Sequence, residues 1–282
     1  MEITSVTILA NPIAGNGRSR KLANWLVNEL AERKIDSKIF TDNWPSSFDE
    51  FTDIWLIGGD GTINYFINQY PDCKKPLALF KGGTGNDFAW KLYGDTSDAA
   101  QLNQILNSHP KPVDVGKCND TLFINCLGVG FDGEIIRHMK SIRFLGGSIG
   151  YLFAVIIKIL SFHEYAFQIT CGSEKWKDRF LLVMVTNSSR AGGGFFVAPD
   201  ALIDDGKLNM VLCKKLAVRK RLQYLPIIKK GKHLHLPIVI QRLGESFSII
   251  VQSEIAIQID GELLYAKELL IEVLAAKFYF RY

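Results

Sequence analysis

A chain of 282 residues, 48% hydrophobic and 22% charged, is longer than the usual single domain and too apolar for a disordered one, so two globular domains are expected. The net charge of +4 is modest, and the five cysteines (Cys73, Cys118, Cys126, Cys171, Cys213) fall in no CxxC pair or finger-like Cys/His spacing. This excludes a disulfide scaffold and a zinc finger, and reads as reduced thiols in a cytoplasmic protein.

In the first third, strands are expected at residues 6–10, 37–41, 54–57 and 77–80, alternating with helices at 21–33, 62–69 and 98–107. The first helix repeats Leu22, Trp25, Leu26 and Leu30 at helical spacing. Such alternation predicts an α/β domain with a parallel sheet covered on both faces. After about Asp114 the texture changes. Strands are expected at 122–127, 167–171, 180–186, 208–213, 238–242, 247–251, 255–259 and 269–273, with helical stretches at 133–161 and 218–230. That density predicts a β-rich, largely antiparallel sandwich or barrel. The domains are accordingly residues 1–117 and 118–282, with the extreme C-terminus free to pack back on the first. No signal peptide or transmembrane helix is expected. The most apolar stretch, 149–160, is about half of the roughly 20 residues a bilayer span requires.

Three glycine-rich turns follow strands of the first domain: Asn11-Pro-Ile-Ala-Gly-Asn-Gly-Arg18, Gly58-Gly-Asp-Gly-Thr62 and Gly82-Gly-Thr-Gly-Asn-Asp-Phe-Ala89. None is a Walker A or dinucleotide fingerprint. Together they put bare backbone amides along the carboxyl edge of the sheet, where ligands of open α/β folds bind, and amides at helix starts attract phosphate. Asp60, Asp87 and Asp114 bring carboxylates to the same loops. Acids and phosphates share a cleft only around a cation, and magnesium, which keeps several waters and bridges phosphate oxygens, resolves the conflict.

The motifs Gly58-Gly-Asp-Gly-Thr-Ile-Asn64 and Gly83-Thr-Gly-Asn-Asp-Phe-Ala89, preceded by Asn11-Pro12, resemble the diacylglycerol kinase catalytic domain family, specifically bacterial soluble lipid kinases related to sphingosine and ceramide kinases. The resemblance continues through Val113-Asp-Val-Gly116, Asn125-Cys-Leu-Gly-Val-Gly-Phe-Asp132, Pro199-Asp-Ala-Leu-Ile-Asp-Asp-Gly206 and Ile259-Asp-Gly-Glu262. It implies an ATP- and Mg2+-dependent kinase that phosphorylates a lipid hydroxyl in an interdomain cleft. ATP would touch Asn11, Thr41, Gly58, Gly59, Asp60, Gly61, Thr62, Ile63, Asn64 and Thr84, while Asp60, Asp87 and Asp114 surround catalytic magnesium. A second, structural metal would take the Asp205 carboxylate and the carbonyls of Leu202 and Lys207, although Asp204-Asp205-Gly206 reads equally as a hairpin turn. Asp260 or Glu262 would be the base for the lipid hydroxyl, and Asp260-Gly261 also reads as a type I′ turn. Two departures are Gly82, where the family often has Pro, and Trp90, where it often has a basic residue. A kinase of a soluble alcohol or of NAD, and a non-catalytic nucleotide-regulated membrane module, remain alternatives.

Residues 214–235 hold eight Lys/Arg and no Asp or Glu, mixed with Leu and Ile. This predicts a peripheral footprint on an anionic membrane or, equally, a solvated helix face. No aromatic set interleaves the cations, so no nucleic acid is expected. The stretch 146–160 reads as core or as the lining of an acyl-chain pocket. The five histidines show no metal spacing. The acceptor lipid and homodimerisation stay open.

Overall fold

A computed structural model describes residues 2–141 and 155–282. The chain forms two units, Met1–Val113 with Ala276–Tyr282, and Asp114–Ala275. The cut at 113/114 falls inside strand β5 (Pro110–Cys118).

In the first unit, β1 (Ser5–Ala10) lies between β2 (Asp36–Phe40) and β3 (Asp53–Gly58), with β4 (Leu77–Lys81) beyond β3. All pairings are parallel: Leu9 is opposite Phe40 and Leu56, and Ile57 is opposite Phe80. Every residue of β3 is buried, as a parallel strand covered on both faces requires. Helix α1 (Arg18–Glu32) turns Leu22, Ala23, Leu26 and Leu30 inward, each leucine contributing about 1.5–3 kcal/mol of burial before entropy is counted. Helix α2 (Asp60–Gln69) buries Ile63, Phe66 and Ile67, and α4 (Asp98–Asn107), capped by Ser97, buries Leu102 and Ile105. Between them, α3 (Asp87–Tyr93) is a helix that no sequence expectation included.

The last residues belong to this unit. Phe280 pairs in parallel with Leu77 and meets Phe88 edge-on at 5.5 Å. Arg281, 2% exposed, forms a buried ion pair with Asp53 and donates to the Ser108 carbonyl at 2.7 Å. Burial pushes the Asp53 carboxyl up, against the opposing pull of Arg281.

In the second unit the strands are antiparallel. They run β11 (Val239–Gly244), β10 (Leu208–Lys214), β9 (Glu174–Thr186), β7 (Cys126–Gly130), β12 (Ser246–Ile259) and β13 (Glu262–Arg281), with β8 (Tyr165–Cys171) pairing β9 and β12. Their inward side chains form one core that includes Phe167, Phe180, Val183, Leu212, Phe247 and Ile257. Helix α5 (Phe131–Ser141) lies so close to β12 that a Cβ on Gly133 would meet the Ala256 carbonyl at 2.2 Å. Residues 155–161 are helical, and α6 (Val218–Lys229) follows β10.

Two expectations change in detail. The strand expected at 122–127 is two, β6 (Thr121–Phe123) and β7, because Ile124 and Asn125 turn their amides to Asp260. The strands expected at 247–251 and 255–259 are one, β12, whose register against β13 shifts between Ile250 and Ile255. Of the helical stretch 133–161, residues 142–154 lie outside the described residues. Among the described residues no helix is long and apolar enough to cross a membrane.

Candidate functional site

The strand order of the first unit, β2-β1-β3-β4, reverses direction between β1 and β3: the chain leaves β1 toward β2 on one side and returns to β3 on the other. That point, at the carboxyl ends of the strands, is where an open α/β sheet leaves a crevice. Asn11 follows β1 there and ties its two flanks together. Its amide donates to the Ile57 carbonyl at 3.0 Å, and its side-chain Nδ2 donates to Thr62 Oγ1 at 3.3 Å.

The three glycine loops meet at this edge. Gly82 N donates to the Gly58 carbonyl at 2.9 Å. A Cβ on Gly15, which has φ +61°, would fall 2.3 Å from the Gly82 carbonyl oxygen, and one on Gly83 would fall 2.4 Å from Gly59 Cα. The loops after β1, β3 and β4 therefore touch through bare backbone, and larger residues would force them apart. Beside Gly61 there is open space. Gly59 precedes the first residue of α2, so the positive end of that helix dipole lies at the crevice edge.

Asp60 opens α2, yet its carboxylate serves a different helix. Oδ2 accepts the Asp87 amide at 3.1 Å and Oδ1 accepts the Phe88 amide at 3.0 Å, so both oxygens cap the start of α3. Asn86, in the left-handed region at φ 53°, completes the turn: its Oδ1 accepts from Gly83 N at 2.9 Å and its Nδ2 donates to the Gly83 carbonyl at 2.7 Å. Ile63 and Asn64 are buried in α2, Asp87 is 2% exposed at the start of α3, Thr84 is exposed, and Thr41 follows β2 with its hydroxyl donating to Asp42.

The remaining expected residues lie in the second unit. Asp114 is bonded through backbone and side chain alike: its amide donates to the Ile203 carbonyl, Oδ2 accepts from Gly206 N (both 2.7 Å), and its carbonyl accepts from Asn187 Nδ2 at 2.8 Å. Asp205 Oδ1 accepts the Lys207 amide at 3.0 Å, closing a turn with Gly206 at φ 69°, beside the exposed Leu202. Among the described residues no three His, Cys, Asp or Glu side chains gather as a metal-holding group.

Asp260 and Glu262 have different environments. Asp260 (φ 46°) and Gly261 (φ 88°) form the two-residue turn between β12 and β13, with the positive φ pair of a type I′ hairpin. The buried Asp260 carboxylate accepts three amides, from Ile124 at 2.8 Å, Asn125 at 3.0 Å and Cys126 at 2.8 Å. Glu262, two residues on, is exposed.

The second unit also holds a feature that the sequence signals only in part. A cavity of about 100 Å³ lies among α5, residues 155–161, α6 and the sheet, walled by Phe131, Ile135, Ile159, Leu182, Val211 and Leu225. Of the apolar stretch 146–160, residues 146–154 lie outside the described residues, whereas Val155 and Ile159 line this cavity. Its polar members include Asp132, Arg221 and His233. Burial pushes the Asp132 carboxyl up to about 6, opposed by a hydrogen bond with Gln258, and lowers the His233 imidazole. Asp132 ends a glycine-rich motif, but nothing in that pattern announced an acid with a raised pKa.

Arg221 corrects the reading of the basic segment as wholly surface. It is 7% exposed, and its guanidinium holds the carbonyls of Leu216, Ile159 and Phe162 and the carboxylate of Glu164. The other seven cations of 214–235, Lys214, Lys215, Arg219, Lys220, Lys229, Lys230 and Lys232, are exposed.

Comparison with known proteins finds a family match in each part of the chain. Residues 5–118 match the diacylglycerol kinase catalytic domain and residues 125–277 the YegS C-terminal NAD kinase beta sandwich-like domain. A Bacillus subtilis diacylglycerol kinase is 26% identical over 217 residues, 76% of this chain and 72% of that protein. A crystal structure from Bacillus anthracis strain Sterne, provisionally named a diacylglycerol kinase, superposes with a TM-score of 0.83 at 27% identity, covering 100% of this chain and 98% of that one. An Archaeoglobus fulgidus NAD kinase solved with ATP shares the fold at 12% identity and a TM-score of 0.57, over 99% and 94% of the two chains. The chain belongs to the family of diacylglycerol and lipid kinases that joins a diacylglycerol kinase catalytic domain to a YegS-type C-terminal domain.

Proposed function

We propose that the protein is an ATP- and Mg2+-dependent lipid kinase that transfers the γ-phosphoryl group to a lipid hydroxyl. One observation carries the reading: three glycine loops converge, backbone against backbone, at the switch point of the first unit. Amides there, with the start of α2, hold a polyphosphate without a lysine-bearing Walker loop. Catalysis of phosphoryl transfer is chiefly positioning and charge neutralisation, so a rigid cradle of this kind supplies much of what the reaction needs.

The acids fit magnesium held through water. Each Asp60 oxygen accepts one amide, and a carboxylate has about four acceptor sites in all, so capacity remains for waters of a hydrated cation. Asp60, Asp87 and Asp114 are the residues that would hold it, and the ion would neutralise phosphate charge. At the acceptor, Glu262 is the better base. Its carboxylate is exposed, whereas that of Asp260 is committed to three amides that shape the turn. Glu262 would take the hydroxyl proton as the oxygen attacks the γ-phosphorus and the bond from that phosphorus to the leaving ADP breaks.

The apolar cavity of the second unit supports an acceptor with an aliphatic chain, and the seven exposed cations support a peripheral footprint on an anionic membrane of the cytoplasm. The Asp205 turn remains a candidate for a structural cation, held with the carbonyls of Leu202 and Lys207. Labelled ATP, magnesium and vesicles containing diacylglycerol, sphingoid base or ceramide test the reading. Label in the lipid supports it. No labelled lipid from a protein that binds ATP would exclude it.

A further inference from the structure

Trp44, Tyr65 and Ile13 have no role so far, and all three follow the carboxyl ends of strands of the first unit. Among the described residues, the large hydrophobic side chains most exposed in the first unit are Ile13 at 86% and Tyr65 at 57%. Both belong to elements that leave the carboxyl edge of the sheet at the switch point. Ile13 follows β1, two residues after Asn11, whose side chain bonds Thr62. Tyr65 is on α2, four residues after Gly61 and so on the same helix face. A Cβ placed on Gly61 would meet nothing within 4 Å, so the surface of α2 is uncovered between the cradle and Tyr65. Trp44, from the loop after β2, meets Tyr65 edge-to-face with centroids 5.3 Å apart.

The core does not require this arrangement. Trp44 also packs on buried Phe66, which anchors it, but Tyr65 faces solvent. A flat, polarisable surface beside a phosphate cradle suits a heteroaromatic base, whose faces stack on aromatic rings largely without regard to sequence. We propose that Tyr65, steadied by Trp44, is a stacking platform for the purine base of the nucleotide whose phosphates lie at the glycine loops. The proposal rests on the kinase reading and adds to it a residue that positions the base.

Binding to the full-length protein, measured calorimetrically with ATP and with inorganic tripolyphosphate, separates the two claims. Tyr65→Ala is expected to weaken ATP about tenfold while leaving tripolyphosphate and the melting temperature unchanged, and Tyr65→Phe, which keeps the ring, to bind ATP as the parent does. Trp44 fluorescence should respond to ATP and not to tripolyphosphate, and that response should vanish in Trp44→Phe. Unchanged ATP affinity in Tyr65→Ala, or equal loss of both ligands, overturns the platform and leaves the kinase reading standing. Failure of the unaltered protein to bind either ligand overturns the kinase reading and the platform with it.

Discussion

The Oδ1 atom of Asp60 accepts the amide of Phe88 at 3.0 Å, so the acid at the head of one helix caps the head of another. A carboxylate inside a phosphate cradle is thereby explained before any cation is considered. It satisfies two of the amides that every helix leaves open at its start, those of Asp87 and Phe88. Removing it has two separable effects. Asp60→Ala should lose about 1–2 kcal/mol of stability, read as a lower melting temperature, and should abolish turnover. Asp60→Asn keeps an acceptor oxygen but no charge, so it should recover part of the stability and none of the activity. An Asn variant with near-normal turnover would remove the charge from the mechanism.

Asp260 and Glu262 should divide in the opposite way. Asp260→Ala leaves three buried amides without their acceptor, at about 1–3 kcal/mol for each left unsatisfied, so its dominant effect is on folding. Glu262→Gln, at an exposed site, should fold as the parent does and lose about 10²–10⁴-fold in kcat, the usual contribution of a general base. Denaturant titration and steady-state kinetics on both variants decide it. A stable, inactive Asp260→Asn beside an active Glu262→Gln would exchange the roles.

Much of this was legible in the sequence, and the missing parts share a cause. β1, β3 and β4 declared themselves as β-rich apolar runs ending in glycine turns, and α4 matched its expected bounds of 98–107. α3 did not. Its seven residues are too few for a clear period, and its start is fixed by Asp60, 27 positions earlier. The break between β6 and β7 was hidden likewise, since the acceptor for Ile124 and Asn125 is 136 and 135 residues away. At the site, the sequence found the glycines and the acids but not which amides the acids hold. Arg221 looked like one cation among eight, and only the fold shows it buried against Glu164.

That burial gives a contrast within one helix. Arg221→Ala should cost about 3–5 kcal/mol, because it strands the Glu164 carboxylate, 7% exposed, without its partner. Lys229→Glu with Lys230→Glu, at exposed positions, should leave stability nearly unchanged and weaken binding to anionic vesicles by at least tenfold, at about 1 kcal/mol for each cation lost. Vesicle sedimentation and thermal melting read the two effects. Undiminished vesicle binding by the double variant would take the footprint away from α6.

Asp132 links the cavity to pH. Its carboxyl is pushed up to about 6 in the folded chain, against about 3.9 when unfolded. Between those values the folded state holds a proton that the unfolded state has released. The stability from this group is therefore full below about pH 4, falls as pH rises through 6, and is flat above. Asp132→Asn stays neutral throughout. It should match the parent at pH 4 and exceed it at pH 8 by about 1–3 kcal/mol, measured by urea unfolding at both values. Equal stability of the two proteins at pH 8 would contradict the assignment.

The central claim is that the glycine cradle and Glu262 serve transfer of phosphate to a lipid. The direct measurement is incorporation of γ-labelled phosphate from ATP into lipid extracted from anionic vesicles, with magnesium present and then chelated, for the parent protein, Asp60→Asn and Glu262→Gln. The account predicts labelled lipid from the parent only, and only with magnesium. A parent protein that binds ATP yet labels no lipid, or that labels a water-soluble alcohol instead, would contradict it.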